Sequence, residues 1–145
     1  MSWRAVYASY NIEKIEFLDE VESVKREARR LKDLGVSIII ATGHAGYDID
    51  LKMAAEIEEL DLVVGGHSHT FLFTGDDKPE GSIEHVEGDY PTYVKQANGR
   101  VVPVVQVYCY SKYLGHLELN FDKEVCKFKI QLCSPIVTTQ NFQLH

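Results

Sequence analysis

Three histidines follow apolar segments of the sequence, each close to a glycine. His67 and His69 come after the apolar run 62–64 and two glycines, and His44 comes after the apolar run 38–41 in a Thr-Gly-His sequence. Because residues i and i+2 of an extended chain point to the same side, His67 and His69 could present both imidazoles to one point. Imidazole nitrogen is a common zinc ligand, at about 2.0–2.1 Å from the metal. The sequence therefore predicts a metal site at the edge of a sheet.

The elements that would position these histidines alternate between helix and strand, over residues 17–34, 36–41, 49–60 and 62–64 in turn. The first segment carries apolar side chains at steps of three and four, which is typical of an amphipathic helix, and Gly35 follows as a C-terminal stop. The run 36–41 is continuous and rich in isoleucine, which predicts a strand buried on both faces. Asp48 is expected to be the N-cap of the second helix.

The second half of the sequence has a different pattern. Residues 74–88 are rich in Gly, Asp, Glu and Pro and predict an exposed loop. Strands are predicted over residues 93–96, 101–108, 114–121 and 125–132. Asn98-Gly99 favours a hairpin between the first two strands, and Pro103 predicts an edge strand or a bulge. The chain should therefore combine βα units with antiparallel strands after about residue 90.

Ligands of open α/β sheets collect outside the carboxyl ends of the strands. His44 and the pair His67 and His69 lie just beyond two such ends, so we expect the three imidazoles to meet in one site. Asp48 could also orient an imidazole as a hydrogen-bond partner. The other histidines have no comparable context and are predicted to be nonfunctional; they are His85, His116 and His145.

Composition limits the classes of function. The chain has 145 residues, of which 45% are hydrophobic and 26% charged, as in a globular domain, and its formal net charge is −7. This charge argues against nonspecific binding to nucleic acid or to an anionic membrane. No apolar stretch approaches the ~20 residues that span a bilayer, and no signal peptide is predicted. Free thiols are the favoured interpretation of the three cysteines, with one disulfide and a leftover thiol as the alternative; they are Cys109, Cys126 and Cys133.

Several segments resemble motifs of the 5′-nucleotidase/apyrase family. The Gly-His-Ala-Gly-Tyr-Asp sequence at 43–48 and the Val-Val-Gly-Gly-His-Ser-His sequence at 63–69 are similar to two of its metal-site motifs. Further similar segments follow in the same order at residues 90–94, 99–106 and 112–115. The resemblance extends over about residues 17–121 and places the chain among the calcineurin-like metallophosphoesterases.

The resemblance implies a fold, a cofactor and a reaction. The family's catalytic domain is an α/β/β/α sandwich with two divalent metal ions, for which we expect zinc. By resemblance, His44 and His67 are metal ligands, and His69 matches a position that is a ligand in some members and noncoordinating in others. Two metal ions can activate water and stabilise charge on a phosphoryl group, so the implied reaction is hydrolysis of a nucleoside phosphate with release of phosphate. No catalytic or substrate-binding residue is assigned.

Other family motifs have no match here. The early Asp-x-His motif, the bridging aspartate and the Asn-His motif precede the first helix in the family, and residues 1–17 supply none of them. We therefore expect the C-terminal part of a catalytic domain, organised as an atypical lead (1–16), a partial metallophosphoesterase domain (17–135) and a loose tail (136–145). Whether the chain by itself is an enzyme stays open, and we expect little or no nucleotidase activity from it.

Two alternatives remain beside this interpretation. One is a noncatalytic truncated or degenerate copy that acts as a weak metal-binding or interaction module. The other is a metallophosphoesterase that acts on nucleotide sugars or cyclic nucleotides. A nucleoside phosphate is the expected partner of the complete enzyme, and an open sheet edge could support self-association. Complete family members are extracellular or at the cell surface, whereas this sequence specifies no location, nucleic-acid partner or membrane contact.

Overall fold

The computed structural model describes residues 16–121 and one further strand, Phe128–Ile130. The elements in chain order are α1 (Glu20–Asp33), β1 (Ile40–Thr42), α2 (Tyr47–Glu56), β2 (Leu62–Val64), β3 (Thr92–Lys95), β4 (Val101–Val105), β5 (Leu119–Phe121) and β6 (Phe128–Ile130). Helices and parallel strands come first, and antiparallel pairs follow after residue 90. The predicted mixed α/β fold is confirmed, while residues 1–15 of the lead and the whole predicted tail (136–145) lie outside the described residues.

Helix α1 ends before Gly35 as predicted, but it begins at Glu20, three residues later than the predicted residue 17. The side chain of Asp19 caps the helix by accepting a hydrogen bond of 2.9 Å from the backbone N–H of Glu22. At the other end, the N–H groups of Gly35 and Val36 donate back to the carbonyls of Lys32 and Leu31 in the last turn. Gly35 has a φ of 85°, which glycine adopts without steric cost. The pair of bonds is the Schellman arrangement that stops a helix.

Helix α2 starts differently from the prediction. It begins at Tyr47 after Gly46, whose φ is 103°, and no local side chain caps it. The first N–H instead donates to the hydroxyl of Ser68, 21 residues later, at 3.0 Å. The prediction that Asp48 is the N-cap is wrong, because the helix starts at Tyr47, two residues before the predicted start at 49, and Asp48 lies exposed in its first turn. The helix also ends at Glu56, short of the predicted residue 60.

The strands β1, β2, β4 and β3 form one sheet in that order. The pairs β1–β2 and β2–β4 are parallel, and β4–β3 is antiparallel. The register aligns Thr42 with Val64 and Val64 with Val105, so three parallel strands end side by side. The prediction that β1 and β2 are neighbours with their carboxyl ends together is confirmed.

Strand β1 is less buried than the isoleucine run predicts. Ile39 is 5% exposed, but Ile38 and Ile40 are 37% and 45% exposed. The expectation of burial on both faces is wrong, because within the described residues β1 is an edge strand whose inner face alone packs against the helices. The strand is also shorter than predicted, since regular pairing covers only three residues.

The prediction for Pro103 is also wrong. Strand β4 lies between β2 and β3, and Pro103 is buried and pairs with Tyr93 in the regular antiparallel register. Proline is tolerated there because the parallel pairing with β2 begins only at Val104. The Asn98-Gly99 hairpin that joins β3 to β4 is confirmed, with Gly99 at a φ of 85°.

Two apolar clusters lie on opposite faces of the sheet. Successive residues of a strand alternate, so Val63 and Val104 pack on the helix side while Leu62 and Val105 pack on the other. The helix-side cluster contains the buried side chains of α1 and α2 and of the turn after α2; they are Val21, Ala28, Met53, Ala54, Ile57 and Leu60. The core therefore fixes α2 directly against the strands whose ends carry the histidines.

The remaining segments are largely as predicted. Residues 74–88 contain no helix or strand, in agreement with the predicted loop. The pair β5–β6 is antiparallel as expected, although both strands are only three residues long and their turn lies outside the described residues. Cys109 is partly buried and has no disulfide partner within the described residues, and Cys126 and Cys133 lie outside them, so the interpretation of all three as free thiols stays a prediction. No described helix has the length and apolar character needed to cross a membrane.

Candidate metal centre

The site begins where the parallel strands end. The N–H of Gly43 donates to the carbonyl of Val64 at 3.0 Å, and the N–H of Gly65 donates to the carbonyl of Val105 at 2.9 Å. These bonds continue the parallel ladders one residue past the strands. The segments that follow, which carry the predicted ligands and a buried glutamine, therefore start from one edge of the sheet.

His44 and His67 lie together at this edge. Their ring centroids are 5.1 Å apart, and the ring planes meet at 69°. Gly66 allows this approach, because a Cβ at that position would lie 2.9 Å from Nδ1 of His44 and 3.5 Å from the carbonyl oxygen of Gly43. A side chain at position 66 would push the His44 ring away, so the glycine before His67 is required by the packing of the other histidine.

His67 and His69 are not in an extended backbone. Their φ angles are 78° and 55°, in the left-handed region that residues other than glycine seldom adopt. The chain turns here, so the expectation that extended spacing aligns the two imidazoles is wrong. The ring of His69 packs against Tyr110 instead, with centroids 5.3 Å apart. The assignment of His69 as a ligand stays a prediction.

The arrangement of His44 and His67 suits a shared metal ion. Two imidazoles bound to one tetrahedral zinc ion have ring centroids about 5 Å apart, given the Zn–N distance. The observed separation of 5.1 Å matches this geometry. Among residues 16–121, however, no three His, Cys, Asp or Glu side chains converge as a complete metal-binding group. The described residues therefore fit part of a zinc site.

The histidines predicted to be nonfunctional lie elsewhere. His85 is exposed in the 74–88 loop. His116 is exposed, with Nε2 3.8 Å from a carboxylate oxygen of Glu118. His145 lies outside the described residues, so its role stays a prediction.

Asp50 is a feature of the site that sequence reasoning missed. It is 1% exposed on the inner face of α2, and a Cβ at Gly65 would overlap its carboxylate. Burial raises the pKa of Asp50 to about 6, although hydrogen bonds from the side chain of Gln106 and the backbone of Gly66, and the nearby His44, favour the charged form. Its Oδ1 has no hydrogen-bond partner among the described residues. A buried carboxylate thus lies directly beneath the two glycines.

Ser68 has a structural role in this geometry. Besides capping α2, its hydroxyl lies 2.8 Å from that of Thr70 and donates to Oε1 of Gln106 at 3.0 Å. The hydroxyl connects the start of α2 to the loop that carries the histidines.

The carboxylate of Glu84 connects the 74–88 loop to the segment next to the site. Glu84 accepts hydrogen bonds from the ammonium group of Lys112 and the hydroxyl of Tyr113. These contacts, that with Lys112 foremost, lower the pKa of Glu84 to about 2. Lys112 and Tyr113 follow Tyr110 in the chain, so these contacts attach the segment that packs against His69 to the 74–88 loop.

Comparisons with known proteins identify relatives of this chain. No protein-family model matches the chain. The snake venom 5′-nucleotidase of Gloydius brevicauda is 48% identical over 108 residues, which are 74% of this chain and 18% of that protein. The 5′-nucleotidase of Bos taurus is 45% identical with the same coverage, and the apyrase of Aedes aegypti is 43% identical over 113 residues, 77% of this chain and 20% of its own.

Two solved structures share the fold. A 5′-nucleotidase precursor from Thermus thermophilus superposes with a TM-score of 0.68 at 37% identity and covers 78% of this chain and 21% of its own. The NAD nucleotidase of Haemophilus influenzae gives a TM-score of 0.72 at 29% identity, covering 83% and 23%. The chain spans about a fifth of the length of the proteins it matches. Across roughly three quarters of its residues, with the two histidine motifs at adjacent strand ends, the chain belongs to the 5′-nucleotidase/apyrase family.

Proposed function

We propose that this region contributes metal ligands to a nucleotide phosphohydrolase, with His44 and His67 binding one divalent ion. The observation that carries the proposal is the 5.1 Å separation of their rings at the carboxyl edge of the parallel strands. The names of the relatives, 5′-nucleotidase and apyrase, support a nucleoside phosphate as substrate. Zinc is the expected ion because neutral imidazole suits it.

The metal would supply polarisation of a phosphoryl oxygen and a lowered pKa of bound water. The residues of this chain hold and shape the site. The two imidazoles provide neutral donors, and Gly66 leaves room for the ring of His44. His69 lies two residues beyond His67 and is retained as a further candidate ligand. An extracellular location is part of the proposal, supported by the venom protein among the relatives.

Zinc titration calorimetry tests the ligand assignment directly. We expect the 145-residue chain to bind zinc, and His44→Ala and His67→Ala each to weaken binding by about tenfold or more, because each removes a donor. His85→Ala is the matched control, since this histidine is exposed in the loop. Equal weakening by all three variants, or no weakening by the first two, would contradict the assignment.

A noncatalytic metal-binding module is the second candidate. It is favoured by the convergence of two histidines without a third donor group within the part of the chain that the structure describes. For the same reason we predict that the chain by itself releases little phosphate from AMP. At most one zinc per chain, without AMP hydrolysis, is the result that this module predicts. Two tightly bound zinc ions, with AMP hydrolysis that His67→Ala abolishes, would favour the enzyme and overturn the prediction of low activity.

A further inference from the structure

One buried glutamine side chain contacts most of the loop that carries the histidines. Gln106 follows β4 and is 2% exposed. Its Oε1 accepts hydrogen bonds from the N–H of Thr70 at 2.7 Å and from the hydroxyl of Ser68 at 3.0 Å. Its Nε2 donates to the carbonyl of Gly66 at 3.3 Å and lies 3.5 Å from Oδ2 of Asp50. The amide thus uses both of its lone pairs and both of its N–H groups.

The orientation of this amide follows from its backbone partners. The N–H of Thr70 can only donate, so it must face Oε1, and the carbonyl of Gly66 can only accept, so it must face Nε2. Both partners would be lost if the amide were turned over. Gln106 is therefore specific for this conformation of the loop.

The contacts alternate with the histidines. Gln106 contacts residues 66, 68 and 70, and between them lie His67 and His69, whose φ angles are 78° and 55°. Such angles carry strain in residues with a Cβ, and they persist where surrounding contacts over-determine the backbone. The three contacts on alternate residues provide that constraint from a single side chain.

We infer that Gln106 is a positioning residue for the metal site: it holds the 66–70 loop in the left-handed turns that place the His67 ring beside His44. This inference rests on the proposed function for the identity of the metal, while the positioning itself can be observed without metal. Gln106 contacts the backbone of Gly66 and Thr70 and the hydroxyl of Ser68, so it acts on the His67 ring through the loop that carries it.

A second buried glutamine provides the matched control. Gln96 is 3% exposed, and its Nε2 donates to the carbonyls of Ala54 and Ile57 at 2.9 and 2.8 Å. It stabilises the end of α2 and does not contact the histidine loop in the described hydrogen bonds. Replacing either glutamine by the isosteric methionine removes a buried amide, so both variants should lose stability. Only the replacement of Gln106 should affect the histidine loop.

The test compares Gln106→Met with Gln96→Met in the 145-residue chain. Without metal, we expect Gln106→Met to speed hydrogen exchange of the Thr70 amide about tenfold and to shift the ring resonances of His67 in NMR spectra, because the loop is released. With zinc, calorimetry should show a Kd raised by about 10–100-fold, as for other residues that orient metal ligands. Gln96→Met should leave both the ring resonances and the zinc Kd at wild-type values.

The outcomes separate the two proposals. Failure of the wild-type chain to bind zinc would count against the proposed function, and the metal-free spectra would still decide whether Gln106 positions His67. Wild-type Thr70 exchange and His67 resonances in Gln106→Met, or a zinc Kd equal to that of Gln96→Met, would overturn the positioning role. If Gln106→Met does not fold, Ser68→Ala removes one of the contacts and should raise the zinc Kd by about twofold to tenfold. An unchanged Kd and unchanged His67 resonances in that variant would also contradict the inference.

Discussion

Asp50 should make the stability of this protein fall as the pH rises from 4 to 6. Its carboxyl group is 1% exposed, and burial raises its pKa from the ordinary 3.8 to about 6. The folded state therefore holds this proton more tightly than the unfolded chain, so the stabilising contribution is fully present below pH 4 and is lost as the pH rises through 6. A shift of about two pKa units corresponds to about 3 kcal/mol between the two limits.

Replacement of Asp50 by asparagine isolates this contribution. The asparagine side chain would be neutral at every pH, and its amide oxygen could still accept the hydrogen bond from the backbone of Gly66. We expect the unfolding free energy of Asp50→Asn minus that of wild type to increase by about 2 kcal/mol between pH 4.5 and 7.5, since part of the effect lies below pH 4.5. Above pH 7.5 the difference should stay level.

Urea unfolding followed by circular dichroism measures this difference, provided that both proteins give the same m-value. Asp48→Asn is the matched control, because this aspartate belongs to the same helix but is exposed. A difference for Asp50→Asn that is flat with pH, or that decreases, would refute the reasoning. It would mean that Asp50 is solvated or paired with a positive charge in the folded protein.

Other substitutions test the packing around the site. Gly65→Ala should cost about 1–3 kcal/mol of stability, because the added Cβ overlaps the Asp50 carboxylate. The cost should be smaller in an Asp50→Ala background, and additive costs of the two substitutions in urea unfolding would contradict the overlap. Glu84→Gln should lower the melting temperature more at pH 7 than at pH 2.5. The reason is that the pKa of Glu84 is lowered to about 2 in the folded protein, so its contribution to stability is present above pH 4.5 and is lost on acidification. Calorimetric scans check this, and an equal decrease in melting temperature at both pH values would contradict it. Asp61→Ala should cost about 1–3 kcal/mol in chemical denaturation, since its side chain accepts the backbone N–H of Ile39 at 2.9 Å, and an undetectable cost would show that this bond is dispensable. The open edge at β1 should make the chain self-associate in sedimentation velocity experiments, whereas a monomer at all concentrations would exclude this.

Local features of the fold could be predicted from the sequence because their causes are local. Gly35 ends α1 through its own φ and neighbouring N–H groups, and Asn98-Gly99 turns the β3–β4 hairpin. The glycine-histidine sequences after two apolar runs predicted neighbouring strand ends correctly. This inference succeeded because parallel strands joined by a short helix place their carboxyl ends at the same edge.

Features that depend on contacts between distant segments could not be predicted in the same way. The cap of α2 comes from Ser68, so a search for a capping residue near the start of the helix selected Asp48 instead. The turn at His67 and His69 depends on the side chain of Gln106, whereas the spacing of the two histidines taken alone favoured an extended backbone.

Asp50 and Gln106 did carry usable signals. Asp50 precedes Met53, Ala54 and Ile57 by three, four and seven residues, so it shares their buried face of α2. Gln106 follows the apolar run of β4, as His44 and His67 follow theirs. The place of Gln106 at the site was therefore predictable on the same ground as that of the two histidines.

The central claim is that His44 and His67 bind the same metal ion. NMR observation of the imidazole nitrogens during zinc titration of the chain, labelled with ¹⁵N-histidine, tests it most directly. We expect the resonances of one ring nitrogen of His44 and one of His67 to shift together, at the same ratio of zinc to protein, while those of His85 do not shift. A shift of only one of the two rings, or shifts that follow different zinc concentrations, would contradict a shared metal ion.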